Sequence, residues 1–406
     1  MQQDTLLFVR KRPLLLSYMI ILWIFTQMGH WVSYQEHSAV AIGDWLVGYS
    51  AGWVRRGFLG TLLLSLSKAS RINAGLILWM FLGLLYMLFL VAVYILLSKQ
   101  ENLYLYLWLI VAPFTLAFPL HIQVFGIPIR KEWLFLTFLA WTGVFAFYKN
   151  EILWNTWIIA SIIISSLLVL AHELLFFFAP YTWVVWILRS GYRRAWPWIA
   201  INTLGLITTM SFILFAKPLP AAKIPVLYEN IENTGYALRQ KVAGDPIDVL
   251  SWGLDDAWSH AYSEYIHSGK ERLLKCVMAL FMISLAFWPV RDLIKEIWHS
   301  IGFMRWGLLT SLLGTIGVMF IAVDWGRFIA LHAISWFILV LLLPSKTEYY
   351  NHTIPSRRWL WHLLLFIYAT GWRIDLNGFA FGNFFSLFTI HFVKYALIPV
   401  IFAKSY

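Results

Sequence analysis

The chain has 406 residues, of which 61% are hydrophobic, 18% aromatic and only 13% charged, and it carries a formal net charge of +11. Soluble domains are roughly 45–50% apolar, so a water-soluble enzyme and a disordered chain are both excluded, and the basic excess points to anionic lipid rather than to nucleic acid. A single cysteine, Cys276, excludes an internal disulfide framework and a multi-cysteine metal cage.

The expected fold is all-α: one polytopic membrane bundle over residues 1–406 with about twelve spans. Arg10, Lys11 and Arg12 precede an apolar run of spanning length from Pro13 to about Val32, which predicts a signal anchor with its basic flank inside. Spans are predicted near 13–32, 74–97, 102–120, 132–148, 153–172, 174–188, 196–216, 273–290, 306–323, 326–343, 359–372 and 381–402. Trp31, Tyr104, Trp133, Trp154, Trp183, Trp306 and Trp359 fall near their ends, where amphipathic rings anchor at the membrane surface. Alternation of sides leaves both termini cytoplasmic. Basic residues then divide evenly between the two sides and acids concentrate outside, so the orientation rests on Arg10–Arg12, Arg189–Arg194 and Arg357/Arg358.

Two predicted outer loops are long. The first, 33–73, holds Glu36, Asp44 and the run Gly52-Trp-Val-Arg55-Arg56-Gly57. The stretch Thr61–Ala69, with Leu62, Leu63, Leu64 and Leu66, is too short to span and is expected to lie in the membrane plane. Guanidinium groups grip phosphate through paired hydrogen bonds, so Arg55 and Arg56 between two glycines are candidate phosphate ligands. The rival role is anchorage to lipid headgroups. Before the fourth span, Arg130 and Lys131 place cations at a helix start, where the dipole disfavours them unless an anion intervenes; Glu132 reads as the cap of that helix end.

His172 and Glu173 divide an apolar stretch too long for one span, so the chain turns either at this pair or near Pro180. A charge left unpaired there costs roughly 2.5–3.5 kcal/mol at the membrane centre, so a partner must exist; the pair suits proton transfer or a structural Glu–Arg tie. The second loop, 217–271, mixes Glu229, Glu232, Asp245, Asp248, Asp255, Asp256 and Glu264 with Trp252, Trp258, Tyr262 and Tyr265, a combination suited to carbohydrate. Asp324 and Arg327 flank a tight turn and are expected to pair, and Arg373 with Asp375 is expected to repeat that clasp.

This organisation resembles the membrane glycosyltransferases of bacterial surface-polysaccharide assembly. It is similar to the GT-C type in span number, in an acidic first outer loop followed by an interfacial helix, and in a long later outer loop. It is similar to O-antigen polymerases in its arginine-rich outer face. The resemblance implies an inner-membrane enzyme that transfers sugar from a polyprenyl-phosphate or polyprenyl-pyrophosphate donor at the extracytoplasmic face. Asp44, Glu36, Glu173 and His172 are then the candidate catalytic groups. Arg55, Arg56, Arg130, Lys131, Asp324, Arg327 and Arg373 are the candidate substrate-binding groups. The first loop lacks an Asp-x-Asp or Asp-x-Glu pair, so no cofactor is indicated, although a divalent metal is compatible. Partners are the lipid-linked glycan and membrane lipids. The alternatives are a transporter or flippase for the same glycans, which would use mid-span groups such as Gln27, His332, His391 and Lys394, and a membrane acyltransferase.

Overall fold

Asparagine, glycine and proline punctuate the apolar runs and set the helix boundaries. The computed structural model describes residues 12–119, 130–215, 217–238, 245–322, 324–343, 358–375 and 378–381. Within these the chain forms α1 (Pro13–Glu36), α2 (Asp44–Leu46), α3 (Gly57–Ser70), α4 (Ala74–Ser98), α5 (Leu107–Val111), α6 (Glu132–Ala146), α7 (Glu151–Ala171) and α8 (Ala179–Ser190). There follow α9 (Tyr192–Leu214), α10 (Ile224–Glu232), α11 (Leu254–Phe287), α12 (Arg291–Ser300), α13 (Met304–Met319), α14 (Trp325–Val340), α15 (Arg358–Thr370) and a hairpin of β1 (Trp372–Asp375) with β2 (Gly378–Phe381). Asn73 caps α4 by accepting from the Leu76 amide, and Asn150 caps α7 by accepting from Leu153, which satisfies otherwise orphaned donors.

Among the described residues, five stretches are long and apolar enough to cross a membrane: α1, α4, α7, α9 and the run Leu254–Ser300 that joins α11 to α12. The helices Glu132–Ala146, Trp325–Val340 and Trp359–Thr370 are apolar but shorter. The predicted span at 102–120 is not a continuous helix. It is a 3₁₀ turn (Leu103–Tyr106) and the five residues of α5, after which Ala112 is extended. Pro113 explains the break, because the residue before a proline is pushed out of the helical region. The predicted loop 217–271 likewise ends at Gly253, since 254–272 belongs to α11. The last predicted span, 381–402, lies almost wholly outside the described residues.

The core is α4 packed on α1 and α6, with α14, α7 and α8 against α6. Its two ends are chemically sorted. At one end Arg12 Nη2 donates to the Gln100 carbonyl (2.9 Å), Gln100 Nε2 donates to the Leu341 carbonyl (2.8 Å), and Arg189 pairs with Glu151 (2.7 Å). At the other end the starts of α3, α6 and α14 meet the finish of α7. The chain turns at His172-Glu173, which resolves the two expected placements in favour of the first.

The second long loop is fastened over the first. Tyr236 lies where any side chain on Gly75 would stand, with a Cβ there only 2.4 Å from its ring, and its hydroxyl donates to the Tyr34 carbonyl (2.8 Å). His37 Nδ1 donates to the Ala237 carbonyl (2.7 Å), and Arg55 Nη2 to the Val249 carbonyl (2.7 Å). Asp245 is buried as an internal brace, accepting from the Tyr228 hydroxyl and from the Ile247 and Asp248 amides. Asp256 caps α11 and Glu264 pairs with Arg272, so these acids serve the local fold rather than forming an open row for sugar.

Candidate functional site

Four separate segments deliver charge to one buried cluster. Asp44 opens the single turn α2 and is 4% exposed. Its Oδ1 stands 3.8 Å from Arg56 Nη1 and 3.7 Å from Lys131 Nζ. Arg56 precedes α3 and grips Glu173 in a fork, Nε to Oε2 at 2.9 Å and Nη2 to Oε1 at 2.6 Å. Its backbone is left-handed, φ 66°, a conformation that persists in a non-glycine residue only when its surroundings hold it. Here the hold is double, because Lys131 Nζ also donates to the Arg56 carbonyl (3.1 Å).

A second half of the cluster centres on Glu132. Arg327 Nε lies 3.4 Å and His172 Nε2 3.7 Å from Glu132 Oε1, and Arg327 Nη2 pairs with Asp324 at 3.1 Å. Arg130 donates to the Val40 carbonyl. Glu132 and Asp324 sit at the starts of α6 and α14, where the helix dipole favours a carboxylate.

No protein-family model, no curated protein and no solved structure matches this chain.

Carboxylates of the chain itself stand opposite most of these cations. Arg56, Arg130, Lys131 and Arg327 face Asp44, Glu132, Glu173 and Asp324, four charges against four. Arg55, whose charge also acts on Glu173, leaves one positive charge in excess when His172 is neutral. Burial alone pushes the Asp44 carboxyl up, but Lys131 and Arg56 outweigh it and hold the group well below the usual carboxylate range. The same opposition, with Arg56 decisive, keeps Glu173 ionised.

Geometry also separates the candidate bases. His172 Nδ1 accepts from the Leu174 amide (3.2 Å), so the neutral ring carries its proton on Nε2, which faces Glu132. At 3.7 Å this contact is too long for a hydrogen bond, so only Nδ1 is taken up by the fold. Glu173 is occupied by Arg56. By contrast, Asp44 Oδ1 and both oxygens of Glu132 are buried without a hydrogen-bond partner among the described residues, an arrangement that calls for water or a ligand between them and their neighbours.

Several expected members lie elsewhere. Glu36 closes α1 and is joined to the cluster by no ion pair among the described residues. Arg55 is turned to Val249. Arg373 stands on β1 opposite Ala380, and Asp375 on the same strand, so the predicted helix clasp is replaced by a hairpin packed on α11. Gly57 does not open space for a ligand, because a Cβ there would be 2.5 Å from the Tyr49 ring. Glu132 was legible only as a cap; its central place depends on α14 and α7 arriving beside it.

Burial and the positive charge of Arg56 push the His172 imidazole down to about 4. The unfolded chain therefore binds this proton more readily between pH 6.5 and 4, so stability contributed by neutral His172 is complete above pH 6.5 and is lost on acidification through that window, by about 3 kcal/mol. His172→Asn should flatten that acid limb in thermal denaturation; an unchanged pH profile would place the acid sensitivity elsewhere.

Proposed function

We propose that the chain is a membrane glycosyltransferase that moves sugar from a polyprenyl-phosphate-linked or polyprenyl-pyrophosphate-linked donor, at the extracytoplasmic face, in surface-polysaccharide assembly. In this reading the chain crosses the bacterial inner membrane about twelve times with both termini cytoplasmic, and α3 lies in the membrane plane. The supporting observation is the meeting of Asp44, Arg56, Lys131, Glu132, His172, Glu173, Asp324 and Arg327 at one end of an apolar bundle.

Asp44 is the general base. Held ionised by Lys131 and Arg56, it is weakly basic at rest. A donor phosphate that draws Arg56 away from Glu173 removes part of that positive field, so Asp44 gains basicity when the donor arrives and takes the acceptor hydroxyl's proton. Arg56, with Arg55, then carries the charge developing on the leaving phosphate.

The described mid-span candidates Gln27 and His332 are internally satisfied, which favours an enzyme over a transporter. His332 Nδ1 meets the Tyr181 hydroxyl (2.8 Å) and its Nε2 the Thr315 hydroxyl (3.0 Å), and Gln27 meets His30 (3.2 Å). His391 and Lys394 lie outside the described residues.

Asp44→Asn preserves shape and removes the base. It should lower glycan product at least about 100-fold at unchanged protein level, with the lipid-linked donor accumulating in extracted membranes. Normal product from this variant would reject the proposal.

A further inference from the structure

Two lysines that make no ion pair among the described residues, Lys217 and Lys223, lie near an apolar cleft. A cleft of about 690 Å³ is lined by Trp53, Leu170, Thr209, Phe212 and Phe215. It opens beside α9, which presents Ile201, Leu204, Ile207 and Phe212 outward, at 50% exposure or more, as a helix facing hydrocarbon does. At its rim, Lys217 follows Phe215 by two residues, and Lys223 Nζ comes within 3.9 Å of where a Cβ on Gly52 would stand, next to Trp53. Neither lysine makes an ion pair among the described residues. An apolar slot under unbalanced ammonium groups, at the end of two helices of spanning length, matches an amphiphile with an anionic head.

We propose that this cleft is a fixed site for one anionic phospholipid of the bilayer, with an acyl chain in the slot and its phosphodiester against Lys217 and Lys223. Bulk lipid reaches the slot laterally through its open side. Lysine suits this role, since its long apolar stem packs along the cleft while the ammonium stays at headgroup depth. The Asp44 cluster, whose cations face carboxylates of the chain, is a separate place from this headgroup site. The bound lipid would wedge the first loop against the finish of α7 and α9, and so brace the segment that carries Arg56.

The test uses the full-length chain in detergent, with phosphatidylglycerol or phosphatidylcholine added and both retained lipid and thermal midpoint measured. Phosphatidylglycerol should be retained by native mass spectrometry and should raise the midpoint by several degrees more than phosphatidylcholine. Lys217→Gln and Lys223→Gln should each weaken its apparent affinity about fivefold, and high salt should weaken it in the unaltered protein. Thr209→Trp, which fills the cleft from its half-buried lining, should abolish retention while both lysines remain. Equal protection by phosphatidylcholine, or undiminished binding in the cleft-filled variant, overturns the site. Displacement of phosphatidylglycerol by an equimolar polyprenyl phosphate also overturns it and assigns the cleft to a substrate tail. None of these readouts depends on glycosyl transfer, so failure of the lipid site and failure of the enzymatic proposal are separable.

Discussion

Arg56→Ala should lower stability by about 3 kcal/mol and abolish activity. The substitution strips Glu173 of its fork and Asp44 of one of its two nearest cations, leaving carboxylates in a largely dry setting. Removing one partner of a buried pair costs about 3–5 kcal/mol; the lower figure applies because a quarter of the Arg56 side chain is exposed. Arg56→Lys should recover little, since an ammonium cannot make the paired contacts of a planar guanidinium. The double change Arg56→Met with Glu173→Met should be less destabilising than Arg56→Ala alone, because both buried charges leave together. Chemical denaturation of the three purified variants decides the matter: a loss within about 0.5 kcal/mol for Arg56→Ala, the range of ordinary surface changes, is incompatible with the pairing described.

Gly60→Ala should be comparably severe. A Cβ at Gly60 would stand 1.8 Å from the Val47 carbonyl oxygen and 2.4 Å from its carbon. The obstacle is backbone, so no rotamer change relieves it, and α3 must lift from the turn that follows Asp44. Overpacking of this kind costs about 3 kcal/mol, and it would pull Arg56 away from Asp44. Gly317 in α13 is the control, since nothing lies within 4 Å of its added methyl. Gly317→Ala should be neutral or stabilise by up to about 1 kcal/mol through helix propensity. If the two alanines behave alike in thermal denaturation, the close approach of α3 to Val47 is wrong.

The sequence displays the apolar helices and the local pairs because their signals span few residues. The three-residue separation of Asp324 and Arg327 puts both on one helical face, and the 3.1 Å pair follows from that spacing. The charged pair His172-Glu173 interrupts an overlong apolar run and marks the turn. What stays hidden is long-range. Arg56 and Glu173 are 117 positions apart and Arg55 and Val249 194 apart, so local patterning cannot tell a waiting cation from a satisfied one. In 254–272 the charge content suggests a loop, yet Leu254, Trp258, Tyr262 and Ile266 recur every fourth residue, the period that favours the observed helix.

The 34 residues of α11 make a rod of about 51 Å at 1.5 Å per residue, whereas membrane hydrocarbon is about 30 Å thick. Standing upright, such a rod projects roughly 20 Å beyond the lipid. It is also tethered near the site, because the Tyr265 hydroxyl donates to the Met319 carbonyl and the Tyr265 ring rests against Trp325, the neighbour of Asp324. A change in the tilt of this rod would therefore be felt at the Asp324–Arg327 pair through Trp325.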